Sequence, residues 1–254
     1  MALYERDSYK TPIKTIFNHN IVEYDMKSAN TSIAREFHLL PEAKIVNLEN
    51  MSKKQREIAH GCIMRDTPGY SEKHKLGFVA SRKLFFEMND IRDEEVVAIK
   101  KDAIFTTRYV DIEKVTDNIN FRMKNVYSSY INLGRNVEIF YKQEGLDVKG
   151  IDDEKLKSHE NGTLRVIRDV YDACVEYNMD QVKINAFMKG VVDAYIHRDL
   201  EFDAYREFNN ESNFRINMYG HEVLSDAITE RDLSDVDISF NYLKIIIPLI
   251  KLLC

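Results

Sequence analysis

The stretch EEVVAIKKDAIFTT, residues 94–107, decides which fold the sequence predicts. Two apolar, β-rich runs at 96–99 and 103–107 flank a charged tip made of Lys100, Lys101 and Asp102. This pattern predicts a tight β-hairpin. The tip has no Asn-Gly or Gly-Gly pair, and places where local sequence rules fail are enriched in functional sites. The tip is therefore either a functional element or a solvated charged turn.

A second predicted strand lies far upstream, at IVEYD, residues 21–25, and it also ends in a carboxylate, Asp25. We expect this strand to lie beside the hairpin in an antiparallel sheet, so that Asp25 and Asp102 come together. Hard divalent cations take carboxylate oxygens, so two such aspartates make a candidate metal site. The alternative for Asp25 is that it caps the helix that follows, a common place for aspartate.

Composition limits the classes of protein that fit. A chain of 254 residues is long enough to bury a large core. Its net charge of -6 argues against a strongly basic nucleic-acid coat, although local basic grooves remain compatible with it. The three cysteines are widely spaced, which suggests neither a disulfide framework nor a zinc site. A reducing cytoplasm is expected, and neither the polar first residues nor the short apolar run at 245–253 predicts a membrane segment.

The chain divides by the period of its apolar residues. Helices are predicted at 27–40, at 53–64 after an N-cap at Ser52, and at 72–88. From residue 152 onward the pattern is mainly helical, at 156–177, 181–196, 202–208 and in a buried tail at 240–253. The predicted fold class is therefore α+β, with helices and an antiparallel sheet in about the first 150 residues and a mostly helical remainder. In the predicted helix at 53–64, the apolar stripe is Ile58, Cys62 and Ile63, and the opposite side has Lys53, Arg56 and His60. In the predicted helix at 72–88, the apolar stripe is Leu76, Val79, Leu84 and Phe85.

The order of these pieces resembles the palm, fingers and thumb of a family B DNA polymerase without its exonuclease and N-terminal domains. The segment YDMKSAN matches the family's first palm motif at Asp25 and Ser28, with Asn30 where the family has the aromatic residue that screens the sugar. In the hairpin, Asp102 takes the place of the second aspartate of the family's Asp-Thr-Asp-Ser motif. Lys100 and Lys101 replace the first aspartate and the threonine.

Weaker elements of the resemblance extend over about residues 20–254. The segment MKNVYSSY has Lys124 and Tyr127 where the family grips the primer end, and LDVKGID has Lys149 where the thumb begins. The fingers motif is reduced to REIAHGCIM, in which Arg56 stands for its lysine. The resemblance implies a palm-like domain at 1–155 with reduced fingers at about 41–74, and a helical thumb-like subdomain at 156–254. It also implies a bacteriophage protein.

The resemblance assigns roles to particular residues. Asp25, Asp102 and the backbone carbonyl of Met26 would hold Mg²⁺ for nucleotidyl transfer. The nucleotide would contact Ser28, Asn30, Lys53 and Arg56, and the nucleic acid would contact Lys100, Lys101, Lys124, Tyr127 and Lys149. Ordinary structural roles compete with these, because Lys53 and Arg56 also suit a solvated helix face and Tyr127 suits sheet packing.

Three functions remain open from the sequence. The first is a minimal metal-dependent nucleotidyltransferase, which keeps both aspartates. The second is a catalytically silent polymerase-like module that binds DNA or RNA as a regulator or as an antagonist of host defence, which the replaced first aspartate and the reduced fingers favour. The third is a protein-interaction subunit whose acidic surface meets another protein. Nucleic-acid binding in the host cytoplasm is common to the first two.

Overall fold

The computed structural model describes residues 2–134, 137–142, 145–149, 163–178, 180–197, 199, 217–218 and 221–222. In this part of the chain, seven longer strands and six helices form an α+β fold with an antiparallel sheet, which confirms the predicted fold class. In chain order they are β1 (Ser8–Lys10), β2 (Thr15–Met26), α1 (Ala29–Glu36), α2 (Glu42–Glu49), α3 (Lys53–Asp66), α4 (Tyr70–Met88), β3 (Val96–Lys100), β4 (Ala103–Thr106), β5 (Phe121–Gly134), β6 (Val137–Lys142), β7 (Gly145–Lys149), α5 (Thr163–Glu176) and α6 (Gln181–Ile196). Two further strands of two residues each, β8 (Asn217–Met218) and β9 (His221–Glu222), pair with each other.

The chain forms two compact units. The first contains Met1–Ile13 and Asn18–Ser129, and the second contains Lys14–Phe17 and Tyr130–Cys254. The predicted boundary between residues 155 and 156 lies in a segment outside the described residues, so that boundary stays a prediction.

The order of the seven strands is β1-β3-β4-β2-β5-β6-β7. Strands β3 and β4 form the predicted hairpin, in which Lys100 pairs with Ala103 and leaves a two-residue turn of Lys101 and Asp102. Strand β2 runs antiparallel to β4, and Asp25 lies opposite Ala103. The prediction that the strand ending at Asp25 lies beside the hairpin is therefore confirmed.

The core of the first unit lies between the sheet and the helices. Alternate residues of β2, namely Val22, Tyr24 and Met26, are buried together with Phe85 of α4. Because successive side chains of a strand point to opposite faces, the intervening Glu23 and Asp25 lie on the other face of the sheet. The strand is thus apolar toward the helices and acidic on its other face.

Helix α4 buries a different stripe from the predicted one. Leu76 and Leu84 are 62% and 38% exposed, whereas Gly77, Ser81 and Arg82 are buried. The reason is close packing on small residues, since a Cβ at Gly77 would lie 2.5 Å from the Cγ2 atom of Ile33 in α1. The predicted position of the helix was right, but of its predicted inner face only Phe85 is buried and Val79 is half-buried.

Helix α3 begins as predicted and is rotated relative to the prediction. Ser52 is its N-cap and forms a capping box with Gln55. His60, which the sequence placed on the polar side, is buried and bonds to the hydroxyl of Tyr70, and Ile58 is 61% exposed. Ile63 is buried as predicted, so the inner face combines this aliphatic side chain with the hydrogen-bonded imidazole of His60.

The second unit contains α5 and α6, which confirms two of the predicted helices. Tyr171 of α5 stacks on Tyr141 of β6 with ring centroids 4.4 Å apart, and Cys174 is fully buried. Ile184 and Met188 of α6 are buried. The predicted helices at 202–208 and 240–253 lie outside the described residues.

Candidate functional site

The turn between β3 and β4 is held in a strained conformation. Lys101 has φ +53°, a left-handed value that is uncommon for a residue other than glycine. Its N–H donates to the Asp7 carbonyl at 2.9 Å, and its own carbonyl accepts from Nη1 of the fully buried Arg82 at 2.7 Å. The Met26 N–H donates to the Asp102 carbonyl at 3.0 Å. Strain of this kind persists only where surrounding contacts over-determine it, and it is common at functional sites.

A buried carboxylate lies on the other face of β2. Glu23 is 1% exposed, and its Oε2 accepts from the Tyr127 hydroxyl at 2.6 Å and from Nδ2 of Asn125 at 2.7 Å. Its Oε1 lies 3.3 Å from the Lys124 ammonium. A buried charge is costly unless it is paired and hydrogen-bonded, and here it is both. The sequence signal for this site is a glutamate inside an apolar strand, and Glu23 was not among the predicted site residues.

Lys124 connects this buried carboxylate to Asp25. Its Nζ lies 3.9 Å from Oδ1 of Asp25, which is 20% exposed. Burial raises the pKa of Asp25, the Lys124 charge opposes that shift, and the charges of Asp102 and Glu23 add to it. Burial lowers the pKa of Lys124, but the two carboxylates outweigh it and the pKa is raised. The charges of Asp25 and Asp102 therefore interact, and the Lys124 ammonium lies between the carboxylates of Glu23 and Asp25.

Further basic residues lie near Asp25 and the hairpin turn. Lys27 follows the end of β2, and its N–H donates to the Asn120 carbonyl just before β5. The charge of Arg122, on β5, lowers the pKa of Asp25, and the hairpin contributes Lys100 and Lys101. Lys27, Arg122 and Lys101 are exposed. We call Lys27, Lys100, Lys101, Arg122 and Lys124 the basic cluster; the acidic residues at the same end of the sheet include Asp7, Glu23, Asp25 and Asp102.

Other predicted site residues lie in different surroundings. Ser28 is the N-cap of α1, so the cap is not Asp25. Asn30, in the first turn of α1, is half-buried and lines a cavity with Asp102. Lys53 is exposed at the start of α3, and the Arg56 charge acts on Glu49 at the end of α2. Arg56 therefore acts on α2.

Two predicted nucleic-acid contacts remain. Tyr127 is fully buried, bonds to Glu23 and stacks on Phe105 with ring centroids 6.2 Å apart. Its hydroxyl supports the buried carboxylate, in agreement with the alternative of sheet packing. Lys149 belongs to the second unit and pairs with Asp147 at 2.9 Å.

The site contains buried polar residues that were not among the predicted site residues. Arg82, His60 and His74 are all buried in the first unit. His60 and His74 line the cavity beside the hairpin turn, with ring centroids 4.7 Å apart. The signal that was available is the spacing of Tyr70, His74, Gly77 and Ser81, which share one face of a helix at steps of three and four residues.

The carboxylates of Asp25 and Asp102 are better suited to pairing with a lysine than to binding Mg²⁺. Two carboxylates suffice for Mg²⁺ only when substrate phosphates and water complete an octahedron. Here the Lys124 ammonium already lies beside Asp25, and a cation next to a carboxylate competes with a metal for it. Among the described residues, no group of three or more His, Cys, Asp or Glu side chains is arranged to hold a metal ion.

The fold and this site define a class: an α+β protein with a basic cluster at one end of an antiparallel sheet. A more particular assignment follows from the sequence. The chain belongs to the family described as bacteriophage PBS1 gene 130 protein, whose sequence model matches residues 1–254. No curated protein matches the chain.

Among solved structures, the chain is similar to the family B DNA polymerase from the hyperthermophilic archaeon Pyrobaculum calidifontis. The identity is 11% and the TM-score is 0.45, and the match covers 97% of this chain and 47% of that one. The chain therefore spans about half the length of that polymerase. A TM-score below 0.5 does not establish a common fold, so neither architecture nor activity follows from this match. Within the described part of the chain, no helix is long and apolar enough to cross a membrane.

Proposed function

We propose that this is a phage nucleic-acid-binding protein that holds phosphates at the basic cluster and works without metal catalysis. The observation that carries the proposal is Lys124, whose ammonium lies between Glu23 and Asp25 and is accompanied by exposed Lys27, Lys101 and Arg122. On a chain of net charge -6, such a local group of exposed cations favours binding of a polyanion at this place.

The chemistry of phosphate binding supports this proposal. Phosphate oxygens accept hydrogen bonds from lysine and arginine in any sequence context, so these contacts give affinity and orientation without reading bases. The strained turn presents Lys101 and is fixed by Arg82, which limits the entropy lost when a strand binds. Asp25 and Asp102 then moderate the affinity, because their negative charges repel phosphates.

A nucleotidyltransferase is the second candidate, and one observation favours it. The Asp102 charge contributes to the raised pKa of Asp25, so the two carboxylates are close enough to interact. For transfer, Mg²⁺ would have to bind Asp25, Asp102 and the Met26 carbonyl and displace Lys124 from its carboxylate partners. In this case binding would depend on Mg²⁺, whereas the first proposal requires none.

The wider parts of the proposal follow the polymerase resemblance. Residues 1–155 would act as a palm-like domain and residues 156–254 as a thumb-like subdomain, in the cytoplasm of the host. The biological role would be that of a regulator or a host-defence antagonist. A protein-interaction subunit is the alternative if nucleic acid does not bind.

Fluorescence anisotropy with labelled single-stranded DNA and RNA tests the binding site. The Lys27→Ala/Lys101→Ala variant should bind more weakly to all sequences and flatten the salt slope by about one unit per lost phosphate contact. The charge-matched control is Lys44→Ala/Lys83→Ala, which removes two exposed lysines from α2 and α4. Equal affinity losses in the two variants would refute the basic cluster as the binding site.

The Asp25→Asn variant separates binding from catalysis in the same assay. Removal of this negative charge should leave affinity unchanged or raise it, because Asp25 repels phosphates when no metal intervenes. Loss of affinity in Asp25→Asn that appears only in the presence of Mg²⁺ would favour the metal-dependent candidate instead.

A further inference from the structure

Large apolar side chains are exposed at the C-terminal end of α4 and on the loop that is bonded to it. On the helix, Leu84 and Met88 are exposed and lie one turn apart on the same side. On the loop, Tyr109 and Ile112 are exposed as well. Single exposed apolar residues are common, whereas adjoining groups of them are typical of interaction sites. We call Leu84, Met88, Tyr109 and Ile112 the apolar surface.

Hydrogen bonds fix the loop against the end of the helix. The side chain of the buried Asn89, at the end of α4, pairs with the backbone of Ile112 in both directions. Its Oδ1 accepts from the Ile112 N–H at 2.9 Å, and its Nδ2 donates to the Ile112 carbonyl at 2.8 Å. The Val110 N–H donates to the hydroxyl of the buried Tyr24 at 2.9 Å. Because the loop backbone is already ordered, a partner that binds here loses little conformational entropy.

The apolar surface lies among carboxylates. Residues 83–95 and 108–112 contain six acidic and three basic residues, so their net charge is -3. The three basic residues are already ion-paired with acidic residues of the same segments, Lys83 with Glu87, Arg92 with Glu94 and Glu95, and Arg108 with Glu95. The surplus negative charge is therefore that of three exposed carboxylates, those of Asp90, Asp93 and Asp111.

These charges determine which partner fits the apolar surface. Nucleic acid and anionic lipid would be repelled by the surplus carboxylates, and so would the same surface of a second copy across a two-fold axis. A partner with lysine or arginine beside an apolar stripe would be attracted. An amphipathic helix presents such a stripe at steps of three and four residues, and the flexible thioether of Met88 adapts to it.

We propose that the apolar surface binds a basic amphipathic helix of another protein, whose apolar stripe covers it and whose basic side chains pair with the surplus carboxylates. This interaction goes beyond the proposed nucleic-acid binding and does not depend on it, because it uses neither the basic cluster nor a phosphate.

Fluorescence anisotropy of the full chain with two labelled peptides of about 18 residues tests the kind of partner. Both peptides have leucine at helical spacing, and the other positions are lysine in one and glutamate in the other. Wild-type protein should bind the lysine peptide at least about tenfold more tightly than the glutamate peptide, and this binding should weaken as salt rises.

A pair of double variants locates the apolar contacts. Leu84→Gln/Met88→Gln should lower the affinity for the lysine peptide about tenfold, because it removes two side chains of the apolar surface. The matched control is Ile58→Gln/Leu76→Gln, which removes two exposed apolar side chains from α3 and from the first half of α4 and should bind like wild type. Glutamine is a good helix former, so the helices are kept in both variants.

A second pair tests the carboxylates. Asp90→Asn/Asp111→Asn should weaken binding of the lysine peptide and reduce its salt dependence. Glu57→Gln/Glu72→Gln changes the net charge by the same amount at exposed positions of α3 and α4, and it should have a smaller effect. Equal effects of the two pairs would mean that only the overall charge of the chain attracts the peptide, which would overturn the proposal.

The remaining outcomes also decide the inference. If wild-type protein binds neither peptide, or both equally, the proposal is wrong, and this comparison needs no variant. Equal losses in Leu84→Gln/Met88→Gln and its control would refute the location. Sedimentation velocity covers the other occupant: a wild-type dimer that Leu84→Gln/Met88→Gln abolishes would show that a second copy occupies the surface, which would overturn the proposal of a basic helix.

Discussion

Acidification from about pH 7.5 to about pH 5 should destabilise the wild-type protein by about 2 kcal/mol more than its His74→Phe variant. The reason is the buried imidazole, whose pKa falls from an ordinary 6.5 to about 4 in the folded protein. Between these values the unfolded chain binds a proton that the folded protein does not, so the free energy of unfolding falls as the pH falls through this window. Above it, the stabilisation is fully present.

The magnitude follows from the two pKa values. The full window from 6.5 to about 4 corresponds to about 3 kcal/mol, at about 1.4 kcal/mol per pH unit. Acidification to about pH 5 should remove about 2 kcal/mol of this free energy of unfolding, and at that pH few carboxylates become protonated. Burial also lowers the pKa of His60, but that histidine is present in both proteins and its contribution largely cancels in the difference.

Urea unfolding of the full chain, followed by circular dichroism, gives the free energy of unfolding at each pH. The control is His19→Gln, since His19 is an exposed histidine on β2. This control should follow the wild-type pH dependence. If wild type and His74→Phe differ by less than about 0.5 kcal/mol in their pH-induced loss, the linkage argument for a neutral, buried His74 is wrong.

Two further predictions concern packing and the buried carboxylate. Gly77→Ala should lower the free energy of unfolding by about 1–3 kcal/mol, because the new Cβ would lie 2.5 Å from Ile33 Cγ2. Gly61→Ala, on the exposed side of α3 with nothing within 4 Å of the new Cβ, should instead stabilise by about 0.5–1 kcal/mol, and equal effects in both variants would refute the packing argument. Tyr127→Phe should destabilise by about 1–3 kcal/mol, because it removes a hydrogen bond to the buried Glu23 carboxylate. A double-mutant cycle with Glu23→Gln should give a coupling of at least about 0.5 kcal/mol, and additive losses would contradict the pairing.

The elements that the sequence predicted well are those with strong local signals. The β3–β4 hairpin follows from two apolar runs around a charged tip, and the start of α3 follows from Ser52 as an N-cap. The pairing of β2 with β4 links strands about 80 residues apart, and matching apolar runs that end in aspartate were enough to predict it. In each case the local chemistry and the tertiary contacts agree.

The buried faces of α3 and α4 could not be predicted from local sequence signals. The apolar period selected Leu76 and Leu84, but α4 packs through Gly77 and Ser81, whose small side chains permit a close approach to α1. Arg82 is buried because two backbone carbonyls, those of Tyr4 and Lys101, accept its hydrogen bonds. Such partners lie far away in sequence, so no periodicity reveals them.

In the candidate site, too, features with local sequence signals were predicted and features that depend on distant contacts were not. The sequence predicted that Asp25 and Asp102 come together at the hairpin turn, because each flanks a predicted strand, but it did not single out Lys27 or Arg122. It gave no sign that Lys124 would lie beside Glu23 and Asp25, since that arrangement depends on the register of β2 and β5. The unpartnered Nε2 of His74 depends on the rotation of α4 and was equally hidden.

The most direct test of metal-independent phosphate binding is a salt titration of wild-type protein with labelled single-stranded DNA, in EDTA and again in Mg²⁺. The basic cluster predicts binding in EDTA whose logarithm of affinity falls linearly with the logarithm of salt concentration, since each neutralised phosphate releases counterions. Mg²⁺ should weaken that binding modestly, as a competing cation. Absence of salt-dependent binding in EDTA, or binding that appears only with Mg²⁺, would contradict the account.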